Sequence, residues 1–251
     1  MSALLSHIRA GSGFPLVLVH GYLGGAGQWQ AEVERFASGH DVIALDLPGF
    51  GAAADRDGCD RIAGFADAII GLLDGLGLRQ FDLLGHSMGG MIVQDLALRN
   101  PGRIRKLVLY GTGPLGLMPD RFELLDVSRT RLRQDGVPAT SRRIGATWFV
   151  NGEACSAFPT VRHIGEQASL GAALAALDAM EHGDGRDSMA ALTMPTRIIW
   201  GDHDRSYRWP QVQSLWQGLP NADLAVIPGA SHAAHLEKPQ IFHPVLADFL
   251  G

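Results

Sequence analysis

Ser87 is the first residue in this chain whose setting can be read as chemistry. Gly85-His86-Ser87-Met88-Gly89 follows the apolar run Phe81-Asp82-Leu83-Leu84 and opens a helical pattern that runs to Arg99. Strand, sharp turn and helix is the setting in which Gly-x-Ser-x-Gly presents a nucleophilic hydroxyl. The turn is tight, and side chains at Gly85 and Gly89 would obstruct it. Ser87 is therefore expected above the sheet edge, at the positive end of a helix. A serine hydroxyl is a poor nucleophile at neutral pH. It needs a base within hydrogen-bond reach, and the base needs an orienting carboxylate.

Two aspartates follow the strand-like run Thr196–Trp200, in Gly201-Asp202-His203-Asp204-Arg205-Ser206. Asp204 is favoured as the orienting acid because it lies beyond the turn, where it can reach a histidine. Asp202 is expected to shape the turn by accepting from backbone N–H groups. Two histidines follow the run Leu224–Ile227, in Pro228-Gly229-Ala230-Ser231-His232-Ala233-Ala234-His235. His232 directly follows the Gly-Ala-Ser turn and is favoured as the base; His235 is expected to make a structural hydrogen bond. The chain has ten histidines, so residue type alone decides nothing. His20 and His86 flank glycine turns and are expected to support the site through buried hydrogen bonds. The order serine, acid, base is the one this strand–turn–helix architecture uses.

A tetrahedral intermediate carries an oxyanion that needs preorganised donors. One is the backbone N–H of Met88, next to the nucleophile. The second is assigned to the N–H of Tyr22, in the loop His20-Gly21-Tyr22-Leu23-Gly24-Gly25, whose glycines admit close backbone approach. A glycine-rich loop after a strand can instead bind phosphate. This one lacks Gly-x-x-x-x-Gly-Lys-Ser/Thr and a dinucleotide-binding context.

These residues need a scaffold that brings strand ends together. Strands are expected at Leu16–His20, Val42–Asp46, Phe81–Gly85, Ile104–Tyr110, Thr196–Trp200 and Leu224–Ile227. Helices are expected at Ile62–Leu76, Met88–Arg99, Pro210–Gln217 and Pro239–Leu250. The alternation implies an α/β fold with a mostly parallel sheet covered on both faces. It stops after Tyr110-Gly111-Thr112-Gly113-Pro114 and resumes at Pro195. Between them, Met118–Gly136, Ser141–Asn151, Thr160–Gln167 and Leu170–Met180 read as helices, an insertion placed to cover a pocket. Candidate substrate contacts are Arg129, one of six arginines between 121 and 143, for a substrate carboxylate, and Trp29, Met118, Trp148 and Phe149 as apolar walls.

Composition narrows the partners. A length of 251 residues with 46% hydrophobic content allows one sizeable core. The net charge of −5 gives no reason to expect nucleic acid or an anionic membrane. Cys59 and Cys155 make no disulfide framework, which suits a reducing compartment. The N-terminal residues lack a secretory pattern, and no apolar run suffices to span a bilayer. A cytoplasmic enzyme acting on a small-molecule substrate is expected; its oligomeric state is not readable.

Together with Leu45-Asp46-Leu47-Pro48-Gly49-Phe50-Gly51, these segments resemble the α/β-hydrolase superfamily. The resemblance implies an eight-stranded, mostly parallel sheet flanked by helices, with a helical cap between strands six and seven. It implies a core of residues 1–112 and 194–251, a cap of 113–193, and no metal or organic cofactor. Ser231 departs from it, standing where a glycine usually precedes the catalytic histidine. The chain is similar to small capped serine hydrolases: enol-lactonases, meta-cleavage product hydrolases and carboxyl esterases. The expected activity is hydrolysis of a small ester, lactone or related carbonyl compound through Ser87, His232 and Asp204. Carbon–carbon bond hydrolysis, pyruvate elimination, or slow-turnover ligand reception on the same scaffold are the alternatives.

Overall fold

Runs of Val, Ile and Leu that have no polar face must be buried on both sides, and they form the middle of the sheet. A computed structural model describes residues 4–118 and 120–251. Its strands are β1 (His7–Gly11), β2 (Phe14–Val19), β3 (His40–Leu45), β4 (Phe81–His86), β5 (Ile104–Tyr110), β6 (Thr196–Gly201) and β7 (Ala222–Ile227). They lie in the order β1-β3-β2-β4-β5-β6-β7. β1 is antiparallel to β3, and every other pair is parallel. The sheet among the described residues thus has seven strands rather than the eight expected. Ahead of β1 only Leu4–Ser6 are described, too short a stretch to pair as a further strand.

The helices are α1 (Gln30–Phe36), α2 (Ile62–Gly75), α3 (Met88–Arg99), α4 (Leu125–Ala146), α5 (Phe158–Glu166), α6 (Leu170–Glu181), α7 (Trp209–Gly218), α8 (Ala234–Glu237) and α9 (Pro239–Leu250). Successive strand residues point to opposite faces. Val17, Val19 and Leu83 accordingly join the core under α2 and α3. Leu16, Leu18 and Leu84 join a second core under α1 and α9. No helix among the described residues is long and apolar enough to cross a membrane.

α4, α5 and α6 fall between β5 and β6, so the insertion follows the fifth of seven strands. The expected helices Met118–Gly136 and Ser141–Asn151 correspond to the two halves of α4, which begins later, at Leu125, and ends earlier, at Ala146. α4 is interrupted only at Gly136, whose φ of 78° leaves helical space two residues before Pro138. α6 lies directly on the core. A Cβ at Gly49 would come within 2.0 Å of Ala172 Cβ, and one at Gly58 within 2.8 Å of it. The Gly49 carbonyl accepts from the Ser169 N–H at 3.2 Å. This explains glycine in the Leu47–Gly51 turn: it is the seat of α6.

Strand order reverses between β2 and β4, because the chain steps outward from β2 to β3 on one side and then from β4 through β5 to β7 on the other. A crevice opens outside the carboxyl ends of strands at such a point. His20 and Ser87 follow the two strands that flank it.

Candidate active site

Ser87 has φ 59° and ψ −125°, and it and Leu23 are the two non-glycine residues with positive φ among those described. Such a conformation costs about 1–3 kcal/mol and persists only where the surroundings impose it. Here they do. A Cβ at Gly85 would lie 2.4 Å from the Gly89 carbonyl oxygen, and one at Gly89 2.4 Å from that of His20. The Ser87 N–H donates to the Tyr110 carbonyl at 2.9 Å. The Thr112 hydroxyl donates to the Ser87 carbonyl at 2.7 Å.

His232 Nδ1 and Asp204 Oδ2 are 2.8 Å apart, with both side chains almost wholly buried. A carboxylate can only accept, so the imidazole proton sits on Nδ1 and leaves the Nε2 lone pair free. Asp204 Oδ1 accepts from the N–H groups of Ser206 (2.7 Å) and Tyr207 (3.1 Å), which fixes the carboxylate plane. Gly111, at φ 51°, passes so close that a Cβ there would lie 3.3 Å from His232 Nδ1. Asp202 sits apart, accepting from the Gly229 N–H at 2.7 Å and tying the ends of β6 and β7 together.

The other histidines support these groups. His86 Nε2–H donates to the His232 carbonyl at 3.0 Å, and its ring stacks on Tyr110. His20 Nδ1–H donates to the Gly21 carbonyl (2.8 Å), and its Nε2 accepts from the Leu47 N–H (2.9 Å). Burial pushes the pKa of both below the usual histidine range, so both are neutral. His235 exchanges two 3.0 Å hydrogen bonds with Tyr110: the phenol donates to Nδ1 and accepts from the His235 N–H. Burial holds His235 at about 4. Ser231 is fully buried, and its hydroxyl lies 3.2 Å from the carbonyls of both Thr147 and His203.

Ser87 and His232 face one narrow cavity, walled by Tyr22, Tyr207, Trp148 and Met118. No hydrogen bond between Ser87 Oγ and His232 closes among the described residues; the Tyr207 hydroxyl lies beside the side-chain oxygens of Ser87 and Thr112. None of the backbone hydrogen bonds of the described residues uses the N–H of Tyr22 or Met88. Gly21 brings the Tyr22 loop against the nucleophile, since a Cβ there would lie 2.6 Å from Ser87 Cβ.

Three expected substrate contacts do not line this cavity. Trp29 is fully buried beneath it, against the rings of His86 and His235. Phe149 is fully buried in the core beside Trp148. Arg129 is held by Asp126, Asp178 and Glu181 and ties α4 to α6. Reading the sequence left Arg121 undistinguished among the six arginines and missed Ile144, Met180, Ser206 and Tyr207, all of which line it. Tyr207 carried a signal, three residues beyond Asp204 on the same loop; Arg121 had none that set it apart from its neighbouring arginines. A larger hollow of about 790 Å³, between α2, α3 and the end of α6, contains none of Ser87, Asp204 and His232.

Residues 15–147 match the model of the alpha/beta hydrolase fold family. A 2-hydroxy-6-oxononadienedioate/2-hydroxy-6-oxononatrienedioate hydrolase of Paraburkholderia phymatum is 31% identical, over 94% of this chain and 86% of that protein. A pimeloyl-[acyl-carrier protein] methyl ester esterase of Aeromonas hydrophila is 27% identical, over 97% of this chain and 98% of that protein. Among solved structures, a thermophilic esterase from Thermogutta terrifontis superposes with a TM-score of 0.88 at 27% identity, covering 98% of this chain and 92% of that one. By its fold and its sequence, the chain belongs to the α/β-hydrolase family and is a hydrolase on that scaffold.

Proposed function

We propose that the chain is a cofactor-independent serine hydrolase of small carboxylic esters, lactones or related carbonyl compounds. The observation that carries this reading is the buried His232–Asp204 pair, directed into the cavity that holds the strained Ser87. His232 Nε2 takes the Ser87 proton as Oγ attacks the carbonyl carbon. The N–H groups of Met88 and Tyr22 receive the oxyanion, a contribution of about 10²–10³-fold in kcat per donor. Asp204 keeps the proton on Nδ1 and stabilises the imidazolium. His232 then protonates the leaving group, and water, activated by the same nitrogen, releases the acid and restores Ser87.

Residues 113–193 act in this reading as a cap. Met118, Arg121, Ile144, Trp148 and Met180 come from that segment and close the cavity over Ser87. The esterase relatives favour an oxygen ester as the scissile group. The test is a panel of short-chain aryl esters, enol-lactones and vinylogous 1,5-diketones, with stoichiometric labelling by a fluorophosphonate. Ser87→Ala is expected to abolish labelling and to lower kcat on the best substrate on the order of 10⁶-fold. Near-normal turnover by that variant would exclude the mechanism.

A further inference from the structure

Arg121 lines the Ser87 cavity, yet its Nη1 is buried without a hydrogen-bond partner among the described residues. Its neighbouring arginines are placed differently. Arg129 holds three carboxylates, and Arg131 and Arg143 share Glu123. Glu123 acts on Arg121 only through its charge, and its oxygens bond other groups. One oxygen accepts from Ser128 and Arg143, and the other from Arg131 and Arg143. The Phe122 ring lies 5.0 Å from the Arg121 guanidinium, which steadies its plane without neutralising its charge.

A second orphan sits beside it. The Tyr22 hydroxyl is buried with no hydrogen-bond partner among the described residues, in the field of Arg121 and Arg143, with Glu123 opposing them. Tyr22 thus spans the cavity. Its backbone adjoins Ser87 through Gly21, and its hydroxyl reaches the arginine end. Burying unpaired donors and an uncompensated cation is costly, and a bound anion would offset both. Burial already pushes the Arg121 pKa down, the direction expected of a guanidinium lacking its counter-ion.

We propose that Arg121 and the Tyr22 hydroxyl form a carboxylate-recognition site. The preferred substrate then carries a free carboxylate about one tyrosine side chain away from the carbonyl that Ser87 attacks. This rests on the serine-hydrolase reading above. Guanidinium matches carboxylate in a planar, two-bonded fork, and the phenol supplies one further donor.

The test compares phenyl hydrogen glutarate with phenyl methyl glutarate, in which the same carboxylate is capped, by phenol release. The wild-type enzyme is expected to favour the free acid in kcat/KM by about 10- to 100-fold. Arg121→Gln is expected to bring that ratio toward one, Arg121→Lys to retain part of it, and Tyr22→Phe to lower it less. An equal loss on both esters, or no wild-type preference, overturns the proposal. Calorimetric binding of glutarate to Ser87→Ala, with and without Arg121→Gln, separates this from the catalytic reading. Turnover by Ser87→Ala would refute the nucleophile while leaving the anion site testable. Glutarate binding that ignores Arg121, or no binding, would refute the anion site alone.

Discussion

At the scale of single residues, the candidate site was legible wherever backbone geometry limits the choice. Gly85, Ser87 and Gly89 mark a turn that other residues cannot make. The competition between Asp202 and Asp204 followed from which one lies past the turn, and the structure sets Asp204, not Asp202, against His232. Charge pairing was not legible. Arg121 and Arg129 look alike in sequence, and only the arrival of Asp178 and Glu181 from α6 makes one structural, while the other keeps a buried Nη1 with no partner among the described residues. The Asp204 geometry predicts a specific variant. In Asp204→Asn the amide oxygen can still accept from the N–H groups of Ser206 and Tyr207. Its NH₂ then faces His232 Nδ1 and drives the proton onto Nε2, where it blocks proton abstraction from Ser87. We expect kcat to fall by about 10⁴-fold with little change in melting temperature. A fall of less than tenfold would show that Asp204 does not set the tautomer.

At the scale of elements, strands buried on both faces announced themselves, whereas β1 did not. His7-Ile8-Arg9-Ala10-Gly11 is half-exposed and pairs only with β3; it has no apolar run, and its alternation is only two apolar residues long, Ile8 and Ala10, which pack against the second core. α8 was equally silent, yet it locks the His232 loop in place. One Glu237 oxygen accepts from the Val150 N–H at 2.7 Å and the other from the Ser231 N–H at 2.6 Å. The Ala233 N–H adds a 3.0 Å bond to the Trp148 carbonyl. The segment after α4 and the loop before α8 therefore move as one unit, and Trp148 packs its ring on His232 as part of it. Glu237→Gln leaves one of the two N–H groups facing an NH₂ instead of an acceptor. We expect a stability loss of about 1.5–3 kcal/mol in urea unfolding. The accompanying change should reach both kcat and KM, because the base His232 and the cavity wall Trp148 belong to the same unit. Unchanged kcat would mean that the loop holds its position without this carboxylate.

At the scale of the whole molecule, the folding of two cores onto one sheet gathers His20, His86, His232 and His235 above the carboxyl ends of the strands, where water is excluded. That placement makes the fold acid-sensitive. Burial is the largest cause holding His20, His86 and His235 below their usual value, and His235 falls from 6.5 to about 4. Glu32 opposes the shift of His235, while His232 and His243 reinforce it. In the unfolded chain each of these imidazoles titrates near 6.5. Between that value and the folded one, the unfolded state binds more protons, so stability rises with pH. The contribution is fully present above pH 6.5 and is lost as the pH falls below it, for His235 down to about 4. Its slope is about 1 kcal/mol per pH unit for each histidine. Melting temperatures measured from pH 7.5 down to pH 4.5 should therefore be flat at first and then fall steeply below about pH 6.5. His235→Gln should begin lower at neutral pH, having lost the exchange with Tyr110, but decline less on acidification. An equally steep decline in that variant would remove His235 from the set of groups that set the acid limit, and assign it to His20, His86 and the carboxylates.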